Sequence, residues 1–263
     1  MKFYTFGLVA AAALSASMAQ AAETVIAQSA LVADGNYYTN SIGSNTLEAN
    51  DDGSTSLIDL GFNFTFFGQT YSSLYINNNG NVTFEGPVST YIPTGPTGVN
   101  VPIISAWFGD VDTRGVNSGL VHWQFDTANQ LVITWDQVGY YNSQSDALAS
   151  FQMVLRGDDF VTPEGEGTIG FFYKDMPWEV TGTSTTSAIG FGDGDGNSVV
   201  LDGSNTSGLN DVVANTHIWF NEDLAPVTPP PAVPEPASWA LMIGGFALVG
   251  AAMRRRVTTL RFA

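Results

Sequence analysis

Short stretches with strand periodicity fill the middle of this chain. Phe62, Phe64 and Phe66 alternate with polar residues, and this period of two places all three rings on one face of a strand. We expect these rings to lie in a hydrophobic core, where each contributes about 2–3 kcal/mol at most. Between the two ends of the chain no long stretch has helical spacing, and 143–150 alone is compatible with a turn or two of helix. The pattern predicts an all-β fold, a β-sandwich-like domain of antiparallel strands.

Turn-forming residues separate pairs of these stretches at hairpin spacing. Asn, Asp, Gly and Pro dominate the connections, because they tolerate the backbone angles of tight turns. The connection 77–81 contains an Asn-Gly pair that suits positive φ angles, which asparagine also tolerates. We expect Trp107 to pack in the core beside a loop. The predicted hairpins join 74–76 to 82–84, 120–125 to 131–135, 151–156 to 168–173 and 188–191 to 198–201, with a last strand at 217–220.

The N-terminus has the order of a secretory signal peptide. Lys2 gives a positive start, an apolar run follows, and Ala19-Gln20-Ala21 is an A-x-A cleavage signature. We therefore predict that the mature chain begins near Ala22. Residues 22–52 have a weaker pattern, which leaves open whether they pack as a strand or lie loose.

The C-terminus combines a proline-rich linker, an apolar run and a cluster of arginines. Prolines between 226 and 236 predict a stiff polyproline spacer. The 17 residues 237–253 carry no charge, and as a helix they reach about 26 Å, slightly short of a hydrocarbon core of about 30 Å. Arg254, Arg255 and Arg256 follow as a membrane stop, and arginine side chains can snorkel to close the gap. This order predicts one C-terminal transmembrane helix, with a buried core helix as the alternative.

The region between the two ends is strongly acidic. Residues 23–235 contain all 25 acidic residues, opposed only by Arg114, Arg156 and Lys174, which leaves a net charge of −22. Such a surface repels a phosphate backbone, so nucleic acid is excluded as a partner, and it favours association with divalent cations. The chain has no cysteine. The exported region therefore has neither disulfides nor thiolate metal sites, and its stability depends on its core.

The C-terminal segments together resemble a known sorting signal. Val233-Pro234-Glu235-Pro236, the apolar run and Arg254–Arg256 are similar to a PEP-CTERM signal of Gram-negative bacteria. The resemblance implies processing by an exosortase, a membrane transpeptidase-like enzyme that cuts near the Pro-Glu-Pro. The protein would be exported, anchored in the membrane by its C-terminal helix before processing, and then placed at the cell surface or in extracellular matrix. A permanent tail anchor is the alternative.

A second resemblance lies in the middle of the chain. Residues 62–68 read Phe-Asn-Phe-Thr-Phe-Phe-Gly, 71–84 surround an Asn-Asn-Asn-Gly-Asn loop, and 103–115 contain Trp-Phe-Gly-Asp-Val-Asp. In this order they resemble a nidogen-like (NIDO) extracellular domain. The resemblance implies a domain of extracellular-matrix and cell-surface proteins that is associated with cell adhesion and is not known as an enzyme.

The two resemblances divide the chain into six predicted segments. These are a signal peptide at 1–21, an N-terminal extension at 22–56, a nidogen-like β-domain at 57–222, a Pro-rich linker with the Pro-Glu-Pro motif at 223–236, a transmembrane helix at 237–253 and a basic cytoplasmic tail at 254–263.

Asp110 and Asp112 are candidate metal ligands. They lie two residues apart near a predicted strand end, so both carboxylates can face one side. Calcium is the cofactor that such oxygen ligands favour. The alternative is that one carboxylate pairs with Arg114 or closes a turn.

A second candidate calcium site lies in the connection 192–197. Asp193, Asp195 and Asn197 follow the D-x-D-x-N start of an EF-hand loop, although its glycine at position 6 and its glutamate at position 12 are missing. The alternative is an ordinary Asp/Gly hairpin.

The sequence gives little support for catalysis. His122 and His217 are the only histidines, and no G-x-S-x-G, H-E-x-x-H or glycine-rich phosphate loop occurs. We expect a non-catalytic adhesion or structural protein that contacts a matrix protein or polysaccharide through loops at one end of the domain. The alternatives are a carbohydrate-binding module with exposed Tyr140, Tyr141 and Trp178, and a secreted hydrolase.

Overall fold

A computed structural model describes residues 22–91, 96–179, 186–228 and 236–254, without the side chains of 97 and 236–238. The chain divides into two units, Met1–Thr228 and Pro229–Ala263, and the described part of the second is one helix. The helices are α1 (Leu209–Val213) and α2 (Pro236–Arg254). The strands are β1 (Glu23–Ile26), β2 (Val32–Ala33), β3 (Asn45–Leu47), β4 (Ile58–Phe66), β5 (Gln69–Asn77), β6 (Asn81–Thr83), β7 (Ile103–Phe108), β8 (Val121–Thr127), β9 (Gln130–Tyr140), β10 (Gln144–Arg156), β11 (Ile169–Tyr173), β12 (Ala188–Gly192), β13 (Ser198–Leu201) and β14 (Thr216–Phe220).

The strands form two sheets of seven. The first has the order β1-β13-β12-β7-β6-β5-β4, and the second has the order β2-β14-β11-β10-β9-β8-β3. Neighbours pair antiparallel, except that β1 runs parallel to β13. The prediction of an all-β fold is confirmed, and the first sheet is mixed rather than purely antiparallel.

Aromatic rings from both sheets meet in one core. Phe191 of β12 lies 5.7 Å from Phe171 of β11 and 4.8 Å from Phe220 of β14, measured between ring centroids. The buried Tyr173 hydroxyl of β11 donates to the Ala106 carbonyl of β7 at 2.8 Å, which satisfies its one polar group. Packing of the two sheets therefore removes both apolar faces from water.

The aromatic residues that the sequence placed in the core are mostly there. Phe64, Phe66 and Trp107 are buried, as predicted. Phe62 is only half-buried and packs at the edge of the core. Gly61, with a φ of 70°, lies within a register irregularity between β4 and β5, while inward and outward residues still alternate along the whole of β4.

All four predicted hairpins are confirmed, as β5–β6, β8–β9, β10–β11 and β12–β13, and β14 is the predicted last strand. The suggested helical turn at 143–150 is wrong, because Gln144 already begins β10. Gln144 pairs with Tyr140, and Ala149 pairs with Val138 after a bulge. Pairing with a neighbouring strand overrides the local helical spacing, as is common for short amphipathic segments.

The first residues after the predicted signal peptide are part of the fold. β2 and β3 lie at opposite edges of the second sheet, so residues 34–44, the crossing segment, traverse its outer face. The Thr39 amide N–H donates to Gln152 Oε1 at 3.1 Å, and Gln152 Nε2 donates back to the Thr39 carbonyl at 3.2 Å. The crossing segment thus covers an outer face that would otherwise be open to solvent.

The C-terminal helix corrects one prediction. Among the residues that the structure describes, no helix is both long enough and apolar enough to cross a membrane. The predicted transmembrane helix at 237–253 is therefore not supported, nor is the membrane anchoring that depends on it.

Candidate functional site

The β5–β6 connection is buried, unlike most hairpin loops. All four asparagines of 77–81 are almost inaccessible to solvent. In this connection only Gly80 has a positive φ, of 77°, so the left-handed asparagines considered from the sequence do not occur. A Cβ at Gly80 would lie 1.7 Å from the Trp107 carbonyl oxygen, so that this position fits only glycine. The asparagines act through their side chains instead.

Asn78 binds two loops, those containing Asp51 and Val111, to the core. Its side-chain amide donates to the carbonyl oxygens of Asp51 and Val111 at 2.6 and 2.5 Å. Its own backbone carbonyl accepts the Trp135 indole N–H at 2.9 Å. Because a buried polar group without a partner costs about 1–3 kcal/mol, these bonds stabilise a connection that water cannot solvate.

Asn79 links the same loops through a carboxylate. Its Nδ2 donates to Asp52 Oδ1 at 2.9 Å, and its Oδ1 accepts the Val111 amide at 3.0 Å. We call the resulting group, formed by 50–53, 77–81, 110–114 and 141–143, the acidic loop cluster. It was not predicted as a unit, because its parts are distant in sequence and only Asp110 and Asp112 stood out.

Asp112 and Arg114 form the structural pair that was one of the two sequence interpretations. Arg114 Nε and Nη2 bond the two Asp112 oxygens at 2.8 and 2.6 Å, and the Ser143 amide adds a third donor at 2.7 Å. Burial alone raises the pKa of Asp112, but the bonds from Arg114 and Ser143 outweigh it and hold the pKa below its usual value. Asp112 is thus an ionised, fully bonded anchor between two loops.

Asp110 lies in a different group, with Asp51 and Asp52. Carboxylate oxygens of these three residues lie within 4.8 Å of one another. Asp110 is buried, and Asp51 also accepts a bond from Arg114 Nη2 at 2.6 Å. Burial, followed by the nearby carboxylates of Asp112 and Asp52, raises the pKa of Asp51 despite Arg114. The loop end therefore concentrates more negative charge than one arginine neutralises.

This geometry suits a hard cation. Asp51, Asp52 and Asp110 each bring one carboxylate oxygen close enough to the others for a single ion to contact all three, and carboxylate oxygens are the ligands that calcium prefers. Sequence spacing pointed to Asp110 but not to Asp51 and Asp52, which are nearly 60 residues earlier. Only the adjacent Asp-Asp-Gly before a strand was a weak signal for them.

Comparison with known proteins identifies the family to which the chain belongs. A family described as NIDO related matches residues 30–228. The chain belongs to the NIDO-related family. A PEP-CTERM protein-sorting motif matches 232–256, so both resemblances drawn from the sequence are confirmed.

Curated relatives of the NIDO-related domain are much longer proteins. A nidogen of Drosophila melanogaster is 28% identical over 156 residues, which covers 48% of this chain and 12% of the relative. Alpha-tectorins of Gallus gallus and Homo sapiens are 28% and 27% identical over 162 and 161 residues, each covering 51% of this chain and 7% of the relative. No solved structure matches the chain.

The second candidate metal group of the NIDO-related domain forms a tightly bonded turn. The Asp193 carboxylate accepts the amides of Asp195 and Asn197 at 2.8 and 3.0 Å, and the Asn197 side chain at 2.5 Å. Asn197 Oδ1 in turn accepts the Ala22 amide at 3.2 Å. Although burial raises the pKa of Asp193, these hydrogen bonds lower it overall. The Asp193 and Asn197 oxygens thus have partners within the chain, as in the hairpin alternative.

The three rings considered for sugar stacking differ in exposure. Trp178 is buried, and its indole N–H donates to the Val138 carbonyl at 3.1 Å. Tyr140 is half-buried and lies 5.7 Å from Trp178. Only Tyr141 is exposed, at 46%. No flat platform of three rings is available to a sugar at this place.

The remaining predicted residues lie at the C-terminus and on strands. Val233, Pro234, Glu235, Arg255 and Arg256 lie outside the described residues, while Pro236 begins α2 and Arg254 ends it. His217 stacks on Phe172, 5.4 Å between ring centroids, and burial lowers the pKa of both His217 and His122. The ring contact with Phe172 thus accounts for the position of His217.

Proposed function

We propose that this exported, exosortase-sorted surface protein is a non-catalytic adhesion or structural component of the cell surface or extracellular matrix. The observation that carries the proposal is the NIDO-related match over 30–228, followed directly by the sorting motif at 232–256. Signal-peptide removal at 1–21 and a proline-rich linker at 223–236 complete the proposed organisation. A matrix protein or an extracellular polysaccharide is the proposed partner, with the exosortase as the processing enzyme.

We place the adhesive face at the acidic loop cluster. Two exposed side chains lie in or just beyond these loops. Val116, two residues after Arg114, is 94% exposed, and Tyr141 is 46% exposed and bonded through its amide to the Asp110 carbonyl at 3.0 Å. Gly115 packs closely on Ser145, so the loop that presents Val116 is held against β10. An apolar residue displayed on a fixed loop is suited to contact with a partner.

A substitution at each end of β10 tests this placement. Cells lacking the protein would be complemented with wild type, with Val116→Asp plus Tyr141→Ala, or with Val161→Asp. Val161 is equally exposed, at 90%, but it lies in the loop that follows β10, at the opposite end of the strand. We expect cell–cell cohesion to be lost with the double variant and retained with Val161→Asp. Equal cohesion with all three would argue against this face.

We also propose that calcium binds Asp51, Asp52 and Asp110. Ligand bound only to the folded state raises stability by about 2.7 kcal/mol at a hundredfold excess over Kd. Millimolar calcium should therefore raise the Tm of the wild type, and Asp52→Asn should abolish the rise. Asp195→Asn is the matched control, and loss of the rise in that variant alone would assign calcium to the turn at 193–197 instead. If calcium did not raise the Tm of the wild type, the calcium proposal would be contradicted.

Carbohydrate binding is the second candidate, and a cleft rather than the three rings favours it. The cleft has a volume of about 600 Å³ and is lined by aromatic, hydroxyl and carboxylate side chains, among them Phe160, Thr162 and Asp158. Such a mixture suits a sugar, which offers hydroxyls and an apolar face. A glycan array with wild type and Phe160→Ala tests it. Signals that need Phe160 would support a glycan-binding role. The absence of any signal would argue against glycan binding and leave adhesion as the one proposed function.

Mass measurement of the protein from its native host tests sorting itself. Exosortase processing predicts a mature mass that begins near Ala22 and ends near Pro236. A mass that retains Arg254, Arg255 and Arg256 would show that the tail stays in place. Full-length protein in the cytosol would contradict export.

A further inference from the structure

The first strand begins directly after the predicted cleavage site. The Ala22 amide N–H donates to Asn197 Oδ1 at 3.2 Å, and the Ala22 carbonyl accepts the Ser198 amide at 3.0 Å. β1 then pairs in parallel with β13 over all four of its residues. The predicted first residue of the mature chain is therefore part of the sheet, rather than the end of a loose tail.

The acceptor for the Ala22 nitrogen is held in a fixed orientation. Asn197 Nδ2 donates to Asp193 Oδ2 at 2.5 Å, and the Asn197 amide donates to Asp193 Oδ1 at 3.0 Å. With its amide nitrogen engaged by a carboxylate, Asn197 turns its oxygen toward Ala22. The turn 193–197 thus presents an oriented oxygen with a carboxylate behind it.

Cleavage after Ala21 changes the hydrogen-bond donor that faces Asn197 Oδ1. In the precursor the Ala22 nitrogen is a neutral amide with one N–H. Hydrolysis of the Ala21–Ala22 bond by one water adds hydroxide to the Ala21 carbonyl carbon and one proton to the Ala22 nitrogen, which becomes an amine. The new Ala21 carboxylic acid then ionises, and the proton that it releases converts the amine to an α-ammonium with three donors. A hydrogen bond from a charged donor is roughly twice as strong as a neutral one, and the strongly acidic domain favours the added positive charge.

We propose that the turn 193–197 is a binding site for the α-ammonium group of Ala22, so that removal of the signal peptide fastens β1 to the first sheet. The inference rests on the proposed cleavage after Ala21. It gives the Asp-Gly-Asp-Gly-Asn sequence a role that needs no metal ion. It also makes the folded domain most stable only after export and processing.

An insertion at the cleavage point tests this. Inserting Gly-Ser between Ala21 and Ala22 of the full precursor keeps the A-x-A signature and moves the α-ammonium two residues away from Asn197. Both proteins would be exported by a Gram-negative host, and their N-termini would be identified by sequencing. We expect the insertion to lower the Tm of the mature protein by about 2 °C, and less at high salt, which screens exposed charges.

Asn197→Ala supplies the control. The insertion should have no further effect in the Asn197→Ala background, because the acceptor is already gone. An undiminished loss there would show a steric effect of the insertion and overturn the proposal, as would equal Tm values with and without Gly-Ser. A wild-type chain that starts far from Ala22 would contradict the cleavage prediction together with this inference, whereas a start at Ala22 without a Tm difference would contradict this inference alone.

Discussion

Two arginines lie at opposite ends of β10 and serve the fold in different ways. Arg156 is the last residue of the strand and is 1% exposed. Arg114 contacts Asp112, which in turn accepts the amide of Ser143 just before the strand, and its side chain is 47% exposed. The acidic domain contains few positive charges, so the placement of each one is informative.

Arg156 is held by the crossing segment and the strands beneath it. Its Nε donates to Gln130 Oε1 at 2.7 Å, its Nη2 bonds Tyr38 of the crossing segment at 3.2 Å, and it pairs with Glu166. Its guanidinium carbon lies 4.3 Å from the Trp219 ring centroid. A planar cation that is bonded at its edges and stacked on its faces can be buried at low cost.

Arg114 instead neutralises carboxylates at a surface. It bonds Asp112 and Asp51 in a cluster that also contains Asp52 and Asp110. Asp112 is buried, but it keeps the Ser143 amide as a donor, and the Arg114 guanidinium is 47% exposed, so water screens part of what Arg114 contributes to stability. The comparison indicates that Arg156 stabilises the fold, whereas Arg114 orders loops that are available for contacts.

The same substitution at both positions should separate these roles most strongly. Arg156→Met leaves Gln130 and Glu166 without their buried donor and exposes the stacked Trp219. We expect it to lower the free energy of unfolding by about 3 kcal/mol. Arg114→Met should cause a much smaller loss. Urea unfolding of both variants measures the difference, and similar losses would contradict the contrast between the two ends.

Asn78→Ala should give the next largest effect, and it tests whether Asn78 holds the loops of the acidic loop cluster in place. The Asp51 and Val111 carbonyls would lose their buried donor, so we expect a loss of about 2 kcal/mol. Asn63→Ala is the matched control, because Asn63 is exposed on β4. Urea unfolding again provides the measurement. A loss no larger than that of the control would mean that the loops hold their positions without Asn78.

Local patterns were enough to predict the strands but not the polar network. Hairpins such as β8–β9 join segments close in sequence, so periodicity and turn residues determine them. The crossing segment carries no strand period, and Tyr38 reaches Arg156 across 118 residues. Asp51 reaches Arg114 across 63. Such contacts depend on which sheet edges β2 and β3 occupy, and no local signal encodes that.

The suggested helical turn at 143–150 was wrong for a related reason, because local spacing does not show which strand a segment pairs with. Its spacing is local, but the bulge that lets Ala149 pair with Val138 depends on β9. Contacts with distant loops also bury all four asparagines of 77–81, as the bonds from Asn78 to Asp51 and Val111 show. The sequence therefore predicted only part of the candidate site, namely Asp110 and Asp112.

The smallest expected effect concerns pH. Because the folded pKa of Asp112 is lowered, its contribution to stability is present above the unfolded value of about 3.9 and is lost as pH falls through the folded pKa. The raised pKa of Asp51 has the opposite sign, since its contribution is present at low pH and is lost as pH rises. Asp112→Asn should therefore flatten the decline in stability below about pH 4.

Tm measured from pH 2 to 7 for wild type, Asp112→Asn and Asp159→Asn checks this. Asp159 is exposed in the loop after β10, so its variant should follow the wild-type curve. A flattened curve for Asp112→Asn alone would show that the pair with Arg114 orders the loop end through the ionised carboxylate. If Asp112→Asn kept the full acid-dependent decline, the decline would have to come from other carboxylates, and Arg114 would contribute at this end no more than an exposed charge does.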